Sequence, residues 1–381
     1  MIYLDNGATS FPKAPGIGAK IAEYIETIGA SVGRGHYKES FQAEMIVYET
    51  REKLMNLLGA PDTRNVIFTR NITESMNVLL FGFLKEGDHV IVSEVEHNAT
   101  MRPLVELENR GITFTRVPIE PDGQVLESHL QDALQTNTKL IAMTHASNVS
   151  GALLQLGPVG AFAKANNLRF IVDAAQTAGV LPVKMADLHA DAIAFTGHKS
   201  LLGPQGIGGF IITDDFADQV KPLIHGGTGS KSESEVQPNI MPDKFEAGTP
   251  NIPGIVGLHA SLTYIEEEGM DKIHAKEMAL TVKLMEGLKD ISGVRIIGPM
   301  DPDHRTAVVS FDCLEEDNAL VSHTLASTYD IRNRCGLHCA PNTHKFYGTY
   351  PQGSVRLSVG YFNTEDHIEK AIEAVKTILK G

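Results

Sequence analysis

From about residue 65 to about residue 215, short apolar runs alternate with amphipathic stretches. That rhythm predicts parallel strands joined by crossover helices, an α/β sheet. The run at 66–69 is the first strand candidate, and helical spacing from Thr73 to Leu84 follows it. Runs at 89–92, 112–114, 140–143, 170–172, 192–195 and 209–212 continue the series, seven in all. They are nearly continuous in Val, Ile, Leu, Ala and Phe rather than alternating, which predicts strands covered on both faces. Sheets of that kind gather ligands beyond the carboxyl ends of their strands. Asn71, Asp173 and Lys199 all stand where strand candidates end.

Between about residues 225 and 254 the pattern breaks into a polar, Gly/Ser-rich and then proline-containing stretch. A stretch this long without apolar period predicts either a functional loop or a poorly ordered one. Helical period returns at 255–268 and 272–288; 294–297, 307–311 and 355–359 read as strands, and a last helix runs from about Thr364 to Leu379. The expected organisation is an N-terminal segment (1–15) that contributes to the site and to the small domain, a large domain (16–254), and a smaller α+β domain (255–381). No internal repeat or coiled coil is visible.

Composition narrows the function class. With 381 residues, 42% of them hydrophobic, the chain can bury a large core and fill two domains. Its formal charge of −14 repels polyanions, so neither nucleic acid nor an anionic membrane is expected as its main partner. No apolar run approaches the length of a membrane span, and the N-terminus lacks a basic region followed by an apolar one. A cytoplasmic location is the expectation. Cys313, Cys335 and Cys339 are too few for a disulfide framework, and an odd count leaves a thiol free. A reducing compartment and a functional thiol fit that count.

The candidate chemistry starts at Lys199, in Ala194-Phe195-Thr196-Gly197-His198-Lys199-Ser200, and at Asp173, in Ile171-Val172-Asp173-Ala174-Ala175-Gln176. A lysine just past one apolar strand and an aspartate ending another supply what pyridoxal phosphate needs, an amine for its aldehyde and a buried anion for its ring nitrogen. Its phosphate is best held by a helix N-terminus with hydroxyl groups, and Arg70-Asn71-Ile72-Thr73-Glu74-Ser75 offers both. Thr196 and His198 would add donors, and Gln176 could reach the ring's phenolic oxygen. Taken singly, Asp173 and Thr73 read equally as helix caps and His198 as a surface histidine; their joint spacing favours the cofactor.

These motifs, with Tyr3-Leu4-Asp5-Asn6-Gly7-Ala8-Thr9, Glu96-His97-Asn98-Ala99, Phe245-Glu246-Ala247-Gly248-Thr249-Pro250-Asn251, Arg334-Cys335-Gly336-Leu337-His338-Cys339 and Val355-Arg356-Leu357-Ser358, extend over almost the whole chain. The chain resembles the fold-type I, class-V aminotransferase-family enzymes, and within them the cysteine desulfurases and selenocysteine lyases. The resemblance implies a large domain with a mainly parallel seven-stranded sheet. It also implies pyridoxal 5'-phosphate as a Schiff base on Lys199, with Ile72, Thr73, His97, Asp173, Gln176, Thr196 and His198 around it. His97 would stack on the ring, and Thr249 would reach the phosphate of a neighbouring subunit, implying a homodimer.

In that resemblance Lys199, Cys339 and His97 are catalytic. Arg356 clamps the substrate carboxylate with its bidentate fork, and Asn148 and Arg334 are further substrate contacts near the cofactor and the thiol. The expected reaction converts L-cysteine, or L-selenocysteine, to L-alanine, leaving a persulfide on Cys339 for an acceptor protein or a small thiol. Cys339 lies between glycine and proline without apolar period, which favours an exposed, mobile loop, and His338 beside it could hold it as thiolate. Cys313, at a strand end, suits a buried small hydrophobe. Cys335 stands where desulfurases with a similar loop commonly carry threonine; a small buried residue and a second redox thiol both remain open. Without a substrate, Arg356 would need an anion of its own, for which Glu365 or Asp366 is near in sequence. Leu337 departs from the His-His-Cys of related desulfurases. A C–S lyase giving pyruvate and ammonia, an aminotransferase, and a cofactor-binding scaffold without turnover are the alternatives.

Overall fold

The computed structural model describes residues 1–33 and 35–380. A short strand, β1 (Ile2–Tyr3), opens the chain, followed by helices α1 (Ile17–Glu23) and α2 (Lys38–Leu58). The series expected from the apolar runs comes next: β2 (Val66–Thr69), α3 (Ile72–Phe83), β3 (His89–Ser93), α4 (Asn98–Glu108), β4 (Thr113–Val117), α5 (Glu127–Ala133), β5 (Thr138–Thr144), α6 (Leu156–Ala165), β6 (Arg169–Asp173), β7 (Ala192–Thr196), β8 (Gly208–Ile212) and α7 (Asp214–Gln219). Beyond the irregular stretch lie α8 (Ile252–Glu268), α9 (Met270–Lys289), β9 (Val294–Ile297), β10 (Val308–Cys313), α10 (Asn318–Ser327), β11 (Ile331–Arg332), β12 (Arg334–Gly336), α11 (Pro341–Phe346), β13 (Ser354–Ser358) and α12 (Glu365–Lys380).

Seven strands form one sheet in the order β2-β8-β7-β6-β5-β3-β4. Only β8 runs antiparallel to its neighbours, because the chain returns from β7 to β8 without a crossover helix. Both faces are covered, as the continuous apolar runs require. Phe170 and Val172 point into one core with α2, α6 and α8. Ile171, between them, points into the other with α3, α4 and α7. No helix among the described residues is long and apolar enough to cross a membrane.

The second sheet, β12-β13-β10-β9, is antiparallel. Its register decides which residues face the large sheet. Cys335, Val355 and Phe311 lie opposite one another across three strands, and so do Arg334, Arg356 and Ser310. Val355 and Phe311 join the core formed with α9 and α12. Alternation along a strand therefore sends Arg334, Arg356 and Ser310 to the other face. There the turn after β5 meets them: the Ser310 hydroxyl donates to the Val149 carbonyl at 2.6 Å. Gly151 ends that turn at φ +74°, and a Cβ on it would stand 2.4 Å from the Val308 carbonyl. A side chain there would push the two sheets apart.

Between α7 and α8 the described chain forms no helix or strand, and its end is anchored. Arg51, on α2, pairs with Glu246 at 2.6 Å, and the amide of Phe68 donates to the same carboxylate at 2.6 Å.

Candidate active site

Parallel strands deliver their following residues to one edge of the sheet. Asp173 ends β6, Thr196 ends β7 with Lys199 just beyond it, and His97 and Asn148 follow β3 and β5. The Asn71 turn that opens α3 reaches the same edge; its side chain accepts a hydrogen bond from the amide of Glu74 at 3.1 Å and caps the helix. Gly208 lets the start of β8 approach this turn, since a Cβ there would meet the Asn71 Cα at 2.9 Å.

Burial sets the protonation of the groups gathered here. It raises the Asp173 carboxyl above the usual aspartate range, opposed by a hydrogen bond from the Ala175 amide at 2.9 Å and by the charge of Lys199. The Lys199 amine is pushed down to about 8, first by burial; Asp173 and Cys339 pull it back up, while Arg356 and Arg334 lower it. His97 is pushed down to about 4 by burial and by the charges of Lys199, Arg356 and Arg102. It is therefore neutral at pH 7, and its Nδ1 accepts from the Ala99 amide at 3.0 Å, capping α4. The hydrogen bond places the ring proton on Nε2. His198 is likewise pushed down to about 4 by burial and by Lys199 and Lys13. Its carbonyl accepts from Lys13 Nζ at 3.0 Å, and Lys13 also donates to Thr9 and Ser10, strapping the N-terminal segment over the lysine turn.

Cys339 is exposed, in the turn between β12 and α11. Hydrogen bonds tie that turn to the residues around it. The Asn98 amide donates to the Cys339 carbonyl at 2.8 Å, the Asn148 side chain donates to the His338 carbonyl at 2.7 Å, and Asn342 donates to the Glu94 carbonyl at 2.8 Å. These ties hold His338 at φ +46° and Cys339 at φ +58°. Left-handed backbone costs a non-glycine residue about 1–2 kcal/mol, and such strain persists where surroundings fix it. When ionised, Cys339 lies in the field of three cations, Lys199, Arg334 and Arg356.

His338 does not face the thiol, contrary to the expectation from sequence. Its Nε2 reaches the Ser354 carbonyl at 3.1 Å, and burial pushes it down to about 2, so it carries no charge with which to hold a thiolate. The counter-ion of Arg356 is also different from the one expected. Glu365 pairs with Lys283 and Asp366 with Lys370, whereas Asp5 reaches Arg356 at 3.1 Å and Arg334 at 2.9 Å. Asn148 belongs to the same cluster, since its carbonyl accepts from Arg356 Nη1 at 3.0 Å. Gln176 donates to the Gly7 carbonyl at 3.1 Å. Thr249 lies apart, exposed, in a groove with Arg70 and Glu74. Cys313 is buried, which pushes its thiol up to about 12.

Sequence reasoning missed three supports. Asp5 gave no local signal of its role, because its partners Arg334 and Arg356 lie at the far end of the chain. Glu96 is buried and accepts from the Ser93 hydroxyl at 2.6 Å and the Thr144 amide at 2.9 Å, fixing the turn that carries His97. Lys13 gave no signal, because its partners are a backbone carbonyl and two hydroxyls.

Pyridoxal phosphate can be tested against these residues. The Thr196 hydroxyl and His198 Nδ1 are buried with no hydrogen-bond partner, as are Asn148 Oδ1 and Arg356 Nε. Buried polar atoms normally have partners, so this edge is built for groups that come from outside the chain. A phosphate would satisfy Thr196 and His198 beside the opening of α3 with Ile72 and the exposed Thr73. A pyridinium would satisfy Asp173, and the flat ring of His97 stands by. The residues fit the group. Among the described residues, no cluster of His, Cys, Asp and Glu is placed to hold a metal.

Comparison with known proteins agrees. The family model for class-V aminotransferases matches residues 2–371. A probable cysteine desulfurase of Methanothermobacter thermautotrophicus is 32% identical over 381 residues, covering 99% of this chain and 94% of that protein. One from Pyrococcus abyssi is 33% identical and covers 100% of this chain and 95% of its own. Among solved structures, the apo cysteine desulfurase of Thermococcus onnurineus NA1 superposes with a TM-score of 0.93 at 32% identity, covering 100% of this chain and 95% of that one. The Escherichia coli cysteine desulfurase CsdA, solved as an S-sulfonic acid, gives 0.89 at 27% identity over 99% of this chain and 94% of that one.

Proposed function

The chain belongs to the class-V aminotransferase family, and on that premise we propose that it is a pyridoxal phosphate-dependent cysteine desulfurase, converting L-cysteine to L-alanine with a persulfide on Cys339. One observation carries the assignment: the exposed Cys339 is held at the sheet edge that carries Lys199, by the Asn98 amide on its own carbonyl and by the Asn148 side chain on the His338 carbonyl, with the buried Arg356 bonded to the same Asn148. An aminotransferase has no use for that thiol.

The cofactor, when bound, supplies an electron sink for the carbanion left by removal of an amino acid's Cα proton. The chain supplies the rest. Asp173 balances the ring's positive charge, Thr196, His198 and the start of α3 hold the phosphate, and Gln176 and His97 border the ring. Arg356 takes the substrate carboxylate through its unpartnered Nε–H. Lys199, with its amine pushed down to about 8, accepts the Cα proton once released from its covalent role. The Cys339 thiolate attacks the substrate sulfur. An S–S bond forms as the Cβ–S bond breaks, and the electron pair of the broken bond stays with the carbon skeleton, which takes up a proton and leaves as alanine. The persulfide then passes to an acceptor protein or a small thiol. Selenocysteine would follow the same path. A homodimer is part of this proposal, with Thr249 reaching the phosphate held by a second copy.

The test is product analysis with L-cysteine and reductant. Alanine and sulfide are expected, and Cys339→Ser should abolish both while the cofactor absorbance remains. Pyruvate with ammonia would point to a C–S lyase, a requirement for an added keto acid to an aminotransferase, and undiminished alanine from Cys339→Ser would sink the assignment.

A further inference from the structure

Two arginines face each other across the small sheet. Arg334 and Arg356 are directly opposite in the antiparallel register of β12 and β13, an arrangement in which like charges destabilise the pair. A single carboxylate resolves it. Asp5 accepts from Arg356 Nη2 at 3.1 Å through Oδ1 and from Arg334 Nη2 at 2.9 Å through Oδ2. Arg334 Nε adds a contact at 3.2 Å to Oδ1. Asp5 can do this because the N-terminal segment is laid beside β13: the Ser358 amide donates to the Leu4 carbonyl at 2.7 Å, and Asp5 bridges to Ser358.

The two arginines have different surroundings and so different tasks. Arg356 has a side chain only 2% exposed, whereas that of Arg334 is 50% exposed. On Arg356, Nη1 is spent on the Asn148 carbonyl and Nη2 on Asp5, which leaves buried Nε as the nitrogen without a partner. The guanidinium is thus held by two of its nitrogens, and its third is buried with its N–H free. Arg334 has no such enclosure. Among the described residues every acceptor of its side-chain hydrogen bonds is Asp5, and its charge is the one of the three around Cys339 that could swing out to solvent.

We propose that Asp5 is a positioning residue that joins the carboxylate clamp to the thiol: one carboxylate sets Arg356 for the substrate and holds Arg334 where its charge acts on Cys339. This deepens the desulfurase assignment and rests on it for the identity of the substrate, while the link from Asp5 through Arg334 to Cys339 can be read without turnover. A purely structural Asp5 would affect stability and leave the thiol and the KM alone.

The experiment follows the alkylation of Cys339 by iodoacetamide, mapped on its peptide by mass spectrometry, across pH 6–9 in holoprotein. Asp5→Asn and Arg334→Gln should each slow alkylation near pH 7 to a similar degree, and the double variant should be no slower than Arg334→Gln alone. In parallel, Asp5→Asn should raise the KM for L-cysteine about tenfold, the loss of one charge-assisted hydrogen bond on Arg356, with a smaller effect on kcat. Arg334→Gln, at a half-exposed position, keeps the thiol test readable where Asp5→Asn does not fold. Alkylation that is unchanged or faster in Arg334→Gln, additive slowing in the double variant, or an unchanged KM in folded Asp5→Asn overturns the proposal. Failure of the wild type to make alanine would instead overturn the assignment of function and leave the alkylation result standing.

Discussion

The carbonyl of Cys339 accepts a hydrogen bond from the amide of Asn98 at 2.8 Å, so the thiol turn is fixed to the residue next to His97. The two sheets therefore meet at the point where the ring-stacking candidate and the nucleophile candidate share one helix start. Asn98 is the first residue of α4, and its amide is one of those a helix leaves free.

Asn98→Pro isolates that contact. Proline is tolerated at the first helical position, and His97, with φ −77° and ψ 155°, already has the extended backbone that a following proline imposes. The substitution removes the donor and leaves the helix. A hydrogen bond is worth about 1 kcal/mol net, so alanine production should fall by roughly fivefold. Cofactor absorbance and far-UV circular dichroism should match the wild type; a full wild-type rate would show that the tie does not position the thiol.

Thr196 offers a test of the phosphate site that separates binding from stability. Its hydroxyl is buried without a partner, a penalty of about 1–3 kcal/mol carried by the cofactor-free protein. Thr196→Val keeps the shape and removes the hydroxyl. The cofactor-free variant should unfold at the same or a higher temperature than the wild type, and its Kd for pyridoxal phosphate should rise about tenfold. A lower unfolding temperature together with an unchanged Kd would remove Thr196 from the phosphate site.

Sequence pattern carried the large sheet and little of what pins the thiol. Six of the seven strands were legible because each is buried on both faces along nearly its whole length and so reads as an unbroken apolar run, whereas β4, at the sheet edge, buries only Val117 and showed little more than its start. The direction of β8 was not legible, since Gly208–Ile212 would look the same running either way. Helix α2 was missed because its apolar residues do not share a face: Phe41, Met45 and Tyr48 are about half exposed while Ser40, Thr50 and Arg51 are buried. Strands β1, β11 and β12 are too short to show a period. Lys199, Asp173 and Cys339 were singled out by chemistry and motif, but the pairing of Asp5 with Arg334 and Arg356 joins opposite ends of the chain and has no local trace. His338 was misjudged for a related reason. Adjacency to Cys339 along the chain says nothing about where a ring points when the backbone is left-handed.

Glu277, on α9, gives the pH prediction. It is buried, which pushes its carboxyl up to about 8, opposed by a hydrogen bond from the Tyr361 amide and by the charge of Lys276. The folded state thus holds a proton that the unfolded chain releases near pH 4.5. Its contribution to stability is complete below that pH and is lost as pH rises through about 8. Glu277→Gln stays neutral throughout. In urea titrations the variant should gain on the wild type from pH 5 to about pH 8 and hold that advantage at higher pH. A constant difference over that range would mean that the carboxyl does not titrate abnormally.

The placement of Cys335 separates it from the thiol chemistry proposed for Cys339. It lies across from Val355 in β13 and Phe311 in β10, on the face packed against α9 and α12, whereas Arg334 and Arg356 occupy the face toward the site. Burial raises its thiol above the ordinary cysteine range. Cys313 shares its face but belongs to β10, with β13 between the two strands; two strand spacings are about 9–10 Å, too far for a disulfide without backbone movement. Cys335 is thus a half-buried small side chain on the face turned away from Arg334 and Arg356. Cys335→Ala should keep alanine formation and Cys339 alkylation at wild-type rates while lowering stability by about 1 kcal/mol. A Cys335→Ala protein that folds but no longer turns over, or a persulfide found on the Cys335 peptide, would assign it the redox role that the packing denies it.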